Sequence, residues 1–442
     1  MDMKTVRSFL MLTIGLVATT ISTLAAPQTI ELNMEAALAR APEANFKILM
    51  AREAVISSEE VTQISRSSLF PQVYLDASQG RSKSPNVDSF TSSFPGIPDH
   101  FYNSRFDALL RGRLAILDMG NIDNWNISKL DLKATRLEVD NVVQEILKGI
   151  LFSYFTHWRN ERRLDLIDAN LERDRLLLQI AKDQQDAGVA TNLDVTRAEV
   201  QLAGNELARL QQETAVMDSD ITLKRILNYP LDSVLILNEE SIPVEAEADP
   251  YSAAHFVTIL DQRADYQQLL TELEREELSY RASKRQHLPS LEVSGQWGYA
   301  SETLSDDMKE QWAIQLGMSL PVFEGFRIAS QTRLAASIQR QKELELDDLR
   351  EEINSEYRMA LQNVHSSVRQ VEVSHRTLEL SNREFELARI RFEEGVADNS
   401  DVVDAQAALA NAEDTLVEAE FYYILALVNL ARTEGDVRRF RF

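Results

Sequence analysis

The chain has no cysteine in its 442 residues, which excludes disulfides, thiolate metal sites, cysteine nucleophiles and a lipid anchor on an N-terminal cysteine. Positive charge is short as well: 46 Lys and Arg stand against 70 Asp and Glu, a formal net charge of −24. Nucleic acid is thereby excluded as a partner, because a polyanion has to be neutralised by Lys and Arg. Only 14 glycines and 11 prolines interrupt the chain, so long unbroken helices are favoured. Catalytic vocabulary is equally thin. The six histidines form no metal-spaced group with carboxylates, and the closest two are ten residues apart; most read as surface or interface residues. There is no phosphate-cradling glycine loop, no G-x-S-x-G and no H-E-x-x-H. Carboxylates such as Glu343, Asp347 and Glu351 read as a solvated or lumenal helix face rather than as catalytic pairs. An enzyme is therefore not expected, and neither a cofactor nor a metal site is predicted.

Long hydrophobic runs are also missing. The one apolar run with a targeting context is "FLMLTIGLVA" (9–18), preceded by Lys4 and Arg7 and followed by small residues at Thr23-Leu24-Ala25. That order reads as an export signal occupying 1–25, with cleavage after Ala25, and the run is too short to span a bilayer. Beyond it no stretch approaches about 18 apolar residues. The densest, "FYYILAL" (421–427), is ended by Asn429. The mature protein is thus expected to be exported without a transmembrane helix.

What the chain does contain is itself, twice. "DAGVATNLDVTRAEVQL" (186–202) returns as "EEGVADNSDVVDAQAAL" (393–409), and over 188–206 against 395–413 ten of 19 positions are identical at a constant offset of 207. "LFPQVYLDASQG" (69–80) is answered by "HLPSLEVSGQWG" (287–298), and "RLAILDMGN" (113–121) loosely by "SLPVFEGF" (319–326). An internal duplication of this period has to be read before any single element. It divides the chain into a signal (1–25), a first repeat (26–228), a linker (229–252) and a second repeat (253–442). Each repeat reads as helix, extended pair (71–118 and 289–322), very long helix, glycine turn, helix. The linker carries three prolines and an acidic tail that fit no helix.

The extended pairs alternate with period two. Val73, Leu75 and Ala77 take one face of the first strand. Phe106, Ala108, Leu110, Leu114 and Ile116 take one face of the second, opposite Asp107, Arg111 and Arg113. Leu291, Val293 and Trp297 do the same in the third, and Trp312, Ile314, Leu316, Met318, Leu320 and Val322 in the fourth, with Gln315 and Ser319 opposite. Strict alternation over about ten residues fits a transmembrane β-strand and fits a half-buried soluble strand equally well. The long helices tip the balance. Val143, Leu147, Ile150, Tyr154 and Trp158 step by three and four, and so does the run from Leu346 through Ile353, Tyr357, Leu361 and Val364 to Leu378. Some 65 helical residues make a rod of roughly 100 Å, which needs partner helices along its whole length. Four membrane-length strands cannot close a barrel, since about eight are needed, and an open sheet edge cannot stand in lipid. Several copies must pool their strands, and their helices then pool into a tube on the same axis. A soluble structural coiled coil would leave the Trp- and Leu-bearing strands unexplained.

These duplicated segments, in this order, resemble those of TolC-family outer membrane channels over nearly the whole mature chain, from about Glu31 to Leu430. The resemblance implies a mainly α protein with a transmembrane β-barrel. It would be a homotrimer with a twelve-strand barrel in outer membrane lipid, continued by a twelve-helix α-barrel in the periplasm of a Gram-negative bacterium. It also implies docking to an inner-membrane transporter through a periplasmic adaptor, for drug or small-molecule efflux or type I protein secretion. Residues 82–103 and 301–310 would be extracellular loops. The glycine turns would be the docking tips, Gly188-Val189-Ala190 and Gly395-Val396-Ala397. Asp401 and Asp404, with Asp194 as the first-repeat counterpart of Asp401, would ring a periplasmic gate, although an Asp in a first turn also serves the helix dipole. Asp404 answers to Arg197 in the first repeat, a divergence that capping does not explain. The best-known gate pattern is not matched at Ala397, where an arginine can occur, or at Phe392, where a tyrosine does. The closing "RRFRF", with Phe440 and Phe442, resembles the terminal aromatic signal of outer membrane barrels but follows a helix rather than a strand. The other reading is a periplasmic coiled-coil adaptor or structural protein of an export complex. An adaptor, however, would carry one hairpin flanked by β-rich modules rather than two hairpins and two strand pairs.

Overall fold

A computed structural model describes residues 29–85, 100–238, 251–304, 306–394, 396 and 399–440. The export signal, the acidic part of the linker (239–250), most of the first loop (86–99) and Phe442 lie outside the described residues. In chain order the elements are β1 (Thr29–Leu32), α1 (Met34–Ala44), α2 (Phe46–Ser67), β2 (Gln72–Pro85), β3 (His100–Leu117), α3 (Met119–Asp186) and α4 (Asn192–Leu227). The linker contributes β4 (Val234–Leu237), and the second repeat follows as α5 (Ala253–Gln262), α6 (Ala264–Arg285), β5 (Ser290–Ser301), β6 (Lys309–Ser319), α7 (Arg327–Glu393) and α8 (Asn399–Thr433), with a 3-10 turn at Val437–Arg439.

The four long strands form one antiparallel sheet in the order β2-β3-β5-β6. Its register aligns the period-two patterns of all four strands. Leu75 opposes Leu110, Leu110 opposes Trp297, and Trp297 opposes Trp312, so one row across the sheet is entirely apolar. The row of Leu114, Val293 and Leu316 repeats this four residues further along. The opposite face carries Asp76, Asp107, Arg111, Gln296, Gln311 and Gln315. Because the side-chain period is two, a slip of one residue would exchange the faces, and the apolar rows thus hold the register. The alternation through Leu320 and Val322 pointed to a longer fourth strand. β6 instead stops at Ser319, because Pro321 has no N–H for the ladder.

The helices α3 (68 residues) and α7 (67 residues) run the length of the helical part, about 100 Å each. Toward the sheet the packing order is α2, α3, α6, α7; toward the glycine turns it is α4, α3, α8, α7. The apolar steps read in the sequence are the contact seams: Val143, Leu147, Ile150, Tyr154 and Trp158 are buried in α3, and Ile353, Tyr357, Leu361 and Val364 in α7. Two features differ from the sequence reading. The leading helix of each repeat is two helices, broken at Asn45 and at Arg263. Asn45 accepts from Lys47 N at 2.9 Å while its amide donates to Ile226 O at 2.8 Å. Arg263, 5% exposed, pairs with Asp265 at 2.6 Å and Glu356 at 2.9 Å. The linker is not wholly irregular, for its "VLIL" is β4, paired in parallel with β1. Of the histidines, His157 is buried at the interface of α3 with α4, its Nδ1 2.9 Å from Ser219 Oγ, and burial lowers its pKa. At this waist Phe440 is also buried, its ring 6.1 Å from Phe155, so it is a core residue rather than part of a strand-borne signal.

Candidate conduit wall and periplasmic tips

At the end away from the sheet, each long helix reverses through the duplicated turn. Gly188 has φ +76°, a left-handed conformation that a Cβ would strain. Around it Gly188 N donates to Gln185 O at 2.9 Å and Val189 N to Gln184 O at 2.9 Å, which satisfies the last carbonyls of α3. In the second turn Val396 N donates to Arg391 O at 2.9 Å, the same bond one repeat later. Gly395 and Ala397 lie outside the described residues. Val189 and Val396 are both exposed, so each tip presents an apolar side chain to its surroundings.

The three aspartates separate by role. Asp194 Oδ2 accepts from Thr191 N at 2.8 Å and from Thr191 Oγ1 at 2.7 Å, and Arg197 stands 3.9 Å away. The Thr191 hydroxyl and then its backbone N–H hold this carboxyl below the usual range, the signature of a capping box. Asp401 and Asp404 are exposed on the first turns of α8. Three residues apart, they share one helix face, while Val402, Ala405 and Leu409 bury the other against Leu177, Phe385 and Phe392. Phe392 is buried, and its carbonyl accepts from Gln184 Nε2 at 3.0 Å, tying the first hairpin to the second.

One polar node close to the tips was missed by sequence reasoning. Asp174, 2% exposed on α3, accepts from Asn205 of α4 at 2.6 Å and from Gln406 of α8 at 2.5 Å, joining three helices. Burial pushes its carboxyl up, and the two amide donors oppose that shift. Nearby, Arg173 pairs with Glu413 at 2.7 Å, and Arg163 with Asp414 at 2.7 Å and Glu418 at 3.3 Å. A signal was available. Asp174 stands where the seam of Leu171, Leu177 and Ala181 calls for an apolar residue, and a polar residue there fixes helix register at some cost in stability. Among the described residues no cluster could hold a metal, and no helix is long and apolar enough to cross a membrane. The membrane-compatible surface is the apolar face of the sheet.

The family model for outer membrane efflux proteins matches residues 37–229 and 257–436, both repeats and little else. The chain belongs to the outer membrane efflux protein family. Outer membrane protein TolC of Vibrio cholerae is 20% identical over 307 residues, covering 66% of this chain and 68% of that protein. Among solved structures, the outer-membrane channel OprN superposes with a TM-score of 0.79 at 18% identity, covering 91% of this chain and 89% of its own. The CmeC outer membrane channel of Campylobacter jejuni superposes with a TM-score of 0.78 at 20% identity, covering 91% and 85%. At such identities these likenesses establish the fold. This efflux protein is an outer membrane protein with the architecture of such channels: a transmembrane β-sheet continued by a helical barrel wall. The adaptor alternative is overturned, because the channel family's model spans both repeats.

Proposed function

We propose that three copies of this efflux protein close into a single conduit. In this reading it passes cargo from an inner-membrane transporter and a periplasmic adaptor across the outer membrane, as small-molecule efflux or type I protein secretion. The observation that carries the proposal is the four-stranded sheet, apolar on one face and, among the described residues, bounded by β2 and β6 as its edge strands. In lipid those edges cost several kcal/mol for each unmet backbone group, and joining β2 of one copy to β6 of the next removes both. The helical flanks support the same closure. α4 and α7 are the outer helices of the lower array, and both expose apolar residues at heptad spacing: Val200, Leu207 and Ile221 on one, Val373, Leu380 and Leu387 on the other. Three chains of four strands give twelve, enough to leave an aqueous lumen.

In this assembly the six reversals form the periplasmic end. Gly188-Val189-Ala190 and Gly395-Val396-Ala397 would meet the adaptor, with the exposed valines as apolar contacts. Asp401 and Asp404 would ring the gate, while Asp194, engaged by Thr191, serves its own helix start. The protein acts as a conduit rather than as an enzyme. Light scattering of the detergent-solubilised protein should return a trimer mass, and the same material should form discrete ion-conducting pores in planar bilayers. A natively folded, monodisperse monomer would refute the closure.

A further inference from the structure

We infer that the polar face of the sheet carries a binding site for multiply charged oxyanions, built on Arg111 and Arg113. The inference rests on the conduit reading, in which this face lines the lumen and the anion is a phosphate- or carboxylate-bearing part of the cargo.

Two adjacent rows of the sheet make the site. In one, Gln72 opposes Arg113, Arg113 opposes Ser294, and Ser294 opposes Gln315. In the next, Tyr74 opposes Arg111, Arg111 opposes Gln296, and Gln296 opposes Ala313. Together they line a concavity of about 570 Å³. Its chemistry is one-sided, because every long side chain in both rows offers an N–H or O–H donor and neither row contains a carboxylate. The two small residues, Ser294 and Ala313, leave room beside the guanidinium groups. In a chain with a net charge of −24, two arginines at alternate positions of one strand stand apart from the rest.

The nearest carboxylates do not consume these arginines. Arg111 stands 3.5 Å from Asp76 and Arg113 stands 3.9 Å from Glu292, each on a flanking row, and all four side chains are about half exposed. Contacts that long and that solvated contribute little. The guanidinium forks therefore keep donors for a ligand, and planar bidentate donation to oxyanions is what arginine does best. Further along the same face, Arg105 is paired with Asp107 at 2.8 Å and both reach Gln311, so that arginine is engaged and the open pair is Arg111 with Arg113.

The test uses the purified full-length protein in planar bilayers, with inorganic tripolyphosphate added on the barrel side. Wild-type pores should show concentration-dependent block that weakens as salt is raised. Arg111→Gln with Arg113→Gln should need at least tenfold more tripolyphosphate, while block by a trivalent cation added from the opposite side is unchanged. Arg111→Lys with Arg113→Lys should recover part of the block, since charge remains and the fork is lost. Equal block in wild type and the glutamine variant, or conducting wild-type pores that ignore tripolyphosphate, would overturn the site. If no pores form at all, the conduit reading fails instead. The site is then judged by the phosphorus NMR linewidth of tripolyphosphate with the detergent-solubilised protein. Broadening lost in the glutamine variant supports it, and no broadening by wild type overturns it.

Discussion

Replacing Leu316 with arginine tests which face of the sheet meets lipid. Leu316 lies on β6 opposite Val293, which in turn opposes Leu114, and its same-face neighbours along the strand are Ile314 and Met318. Among the described residues nothing covers this row; Leu316 is 64% exposed and Ile314 76%. An arginine on the lipid face near the bilayer midplane costs about 2–4 kcal/mol. In the proposed trimer the cost is about 6–12 kcal/mol per assembly, comparable to the whole stability of many domains. Gln315→Arg adds the same side chain one residue away, but on the polar face opposite Ser294, where a solvated substitution moves stability by about 0.5 kcal/mol or less. Leu316→Arg should therefore remove the protein from the outer-membrane fraction and abolish the trimer mass expected by light scattering, which Gln315→Arg should retain. Ile314→Arg, at the middle of the strand, should be at least as damaging. Equal tolerance of arginine at 315 and 316 would refute the assigned faces and with them the transmembrane sheet.

Gly298 lies where β3 and β5 join the two repeats, and a Cβ there would sit 2.0 Å from the Ala108 carbonyl oxygen. Gly298→Val should prevent assembly, whereas Gly295→Val, whose nearest neighbour would be 3.8 Å away, should not; heat-modifiable gel mobility distinguishes them. Because burial raises the Asp174 carboxyl, the native state holds that proton more tightly than the unfolded chain does. Its contribution is therefore present at low pH and is lost as pH rises from about 3.9, the ordinary carboxylate value, through the native value. Asp174→Asn should flatten the part of the thermal-midpoint profile that lies above about pH 3.9, and parallel profiles would rule out the assignment. If Asp401 and Asp404 ring the gate as proposed, Asp401→Ala with Asp404→Ala should lower cation selectivity or raise conductance in planar bilayers, because the carboxylate repulsion would be removed. Unchanged selectivity in a correctly assembled pore would remove both residues from the gate.

Much of this molecule can be read from local spacing. Period two in "QVYLDAS" and "WAIQLGMS", steps of three and four from Val143 to Trp158, and a glycine turn repeated at a fixed offset all report backbone geometry within a few residues. The capping box is equally local, a Thr three positions before Asp194. From these the strand pairs, the rods and the reversals followed, and the proposal of several chains rests on the strand number. Other features depend on what meets what across the fold. The four residues of β1 pair in parallel with β4, though neither strand is long enough to show a period. The breaks at Asn45 and Arg263 are held by partners distant in sequence, Ile226 and Glu356. Asp174 could be seen as a misfit in an apolar seam, but its donors Asn205 and Gln406 come from two other helices. The row that sets Tyr74, Arg111 and Gln296 side by side exists only once three strands are in register. Sequence reports the period of each element because that period is set by bonded geometry; which rows align, and which polar groups meet in the seams, is decided only when separate elements bury their faces together.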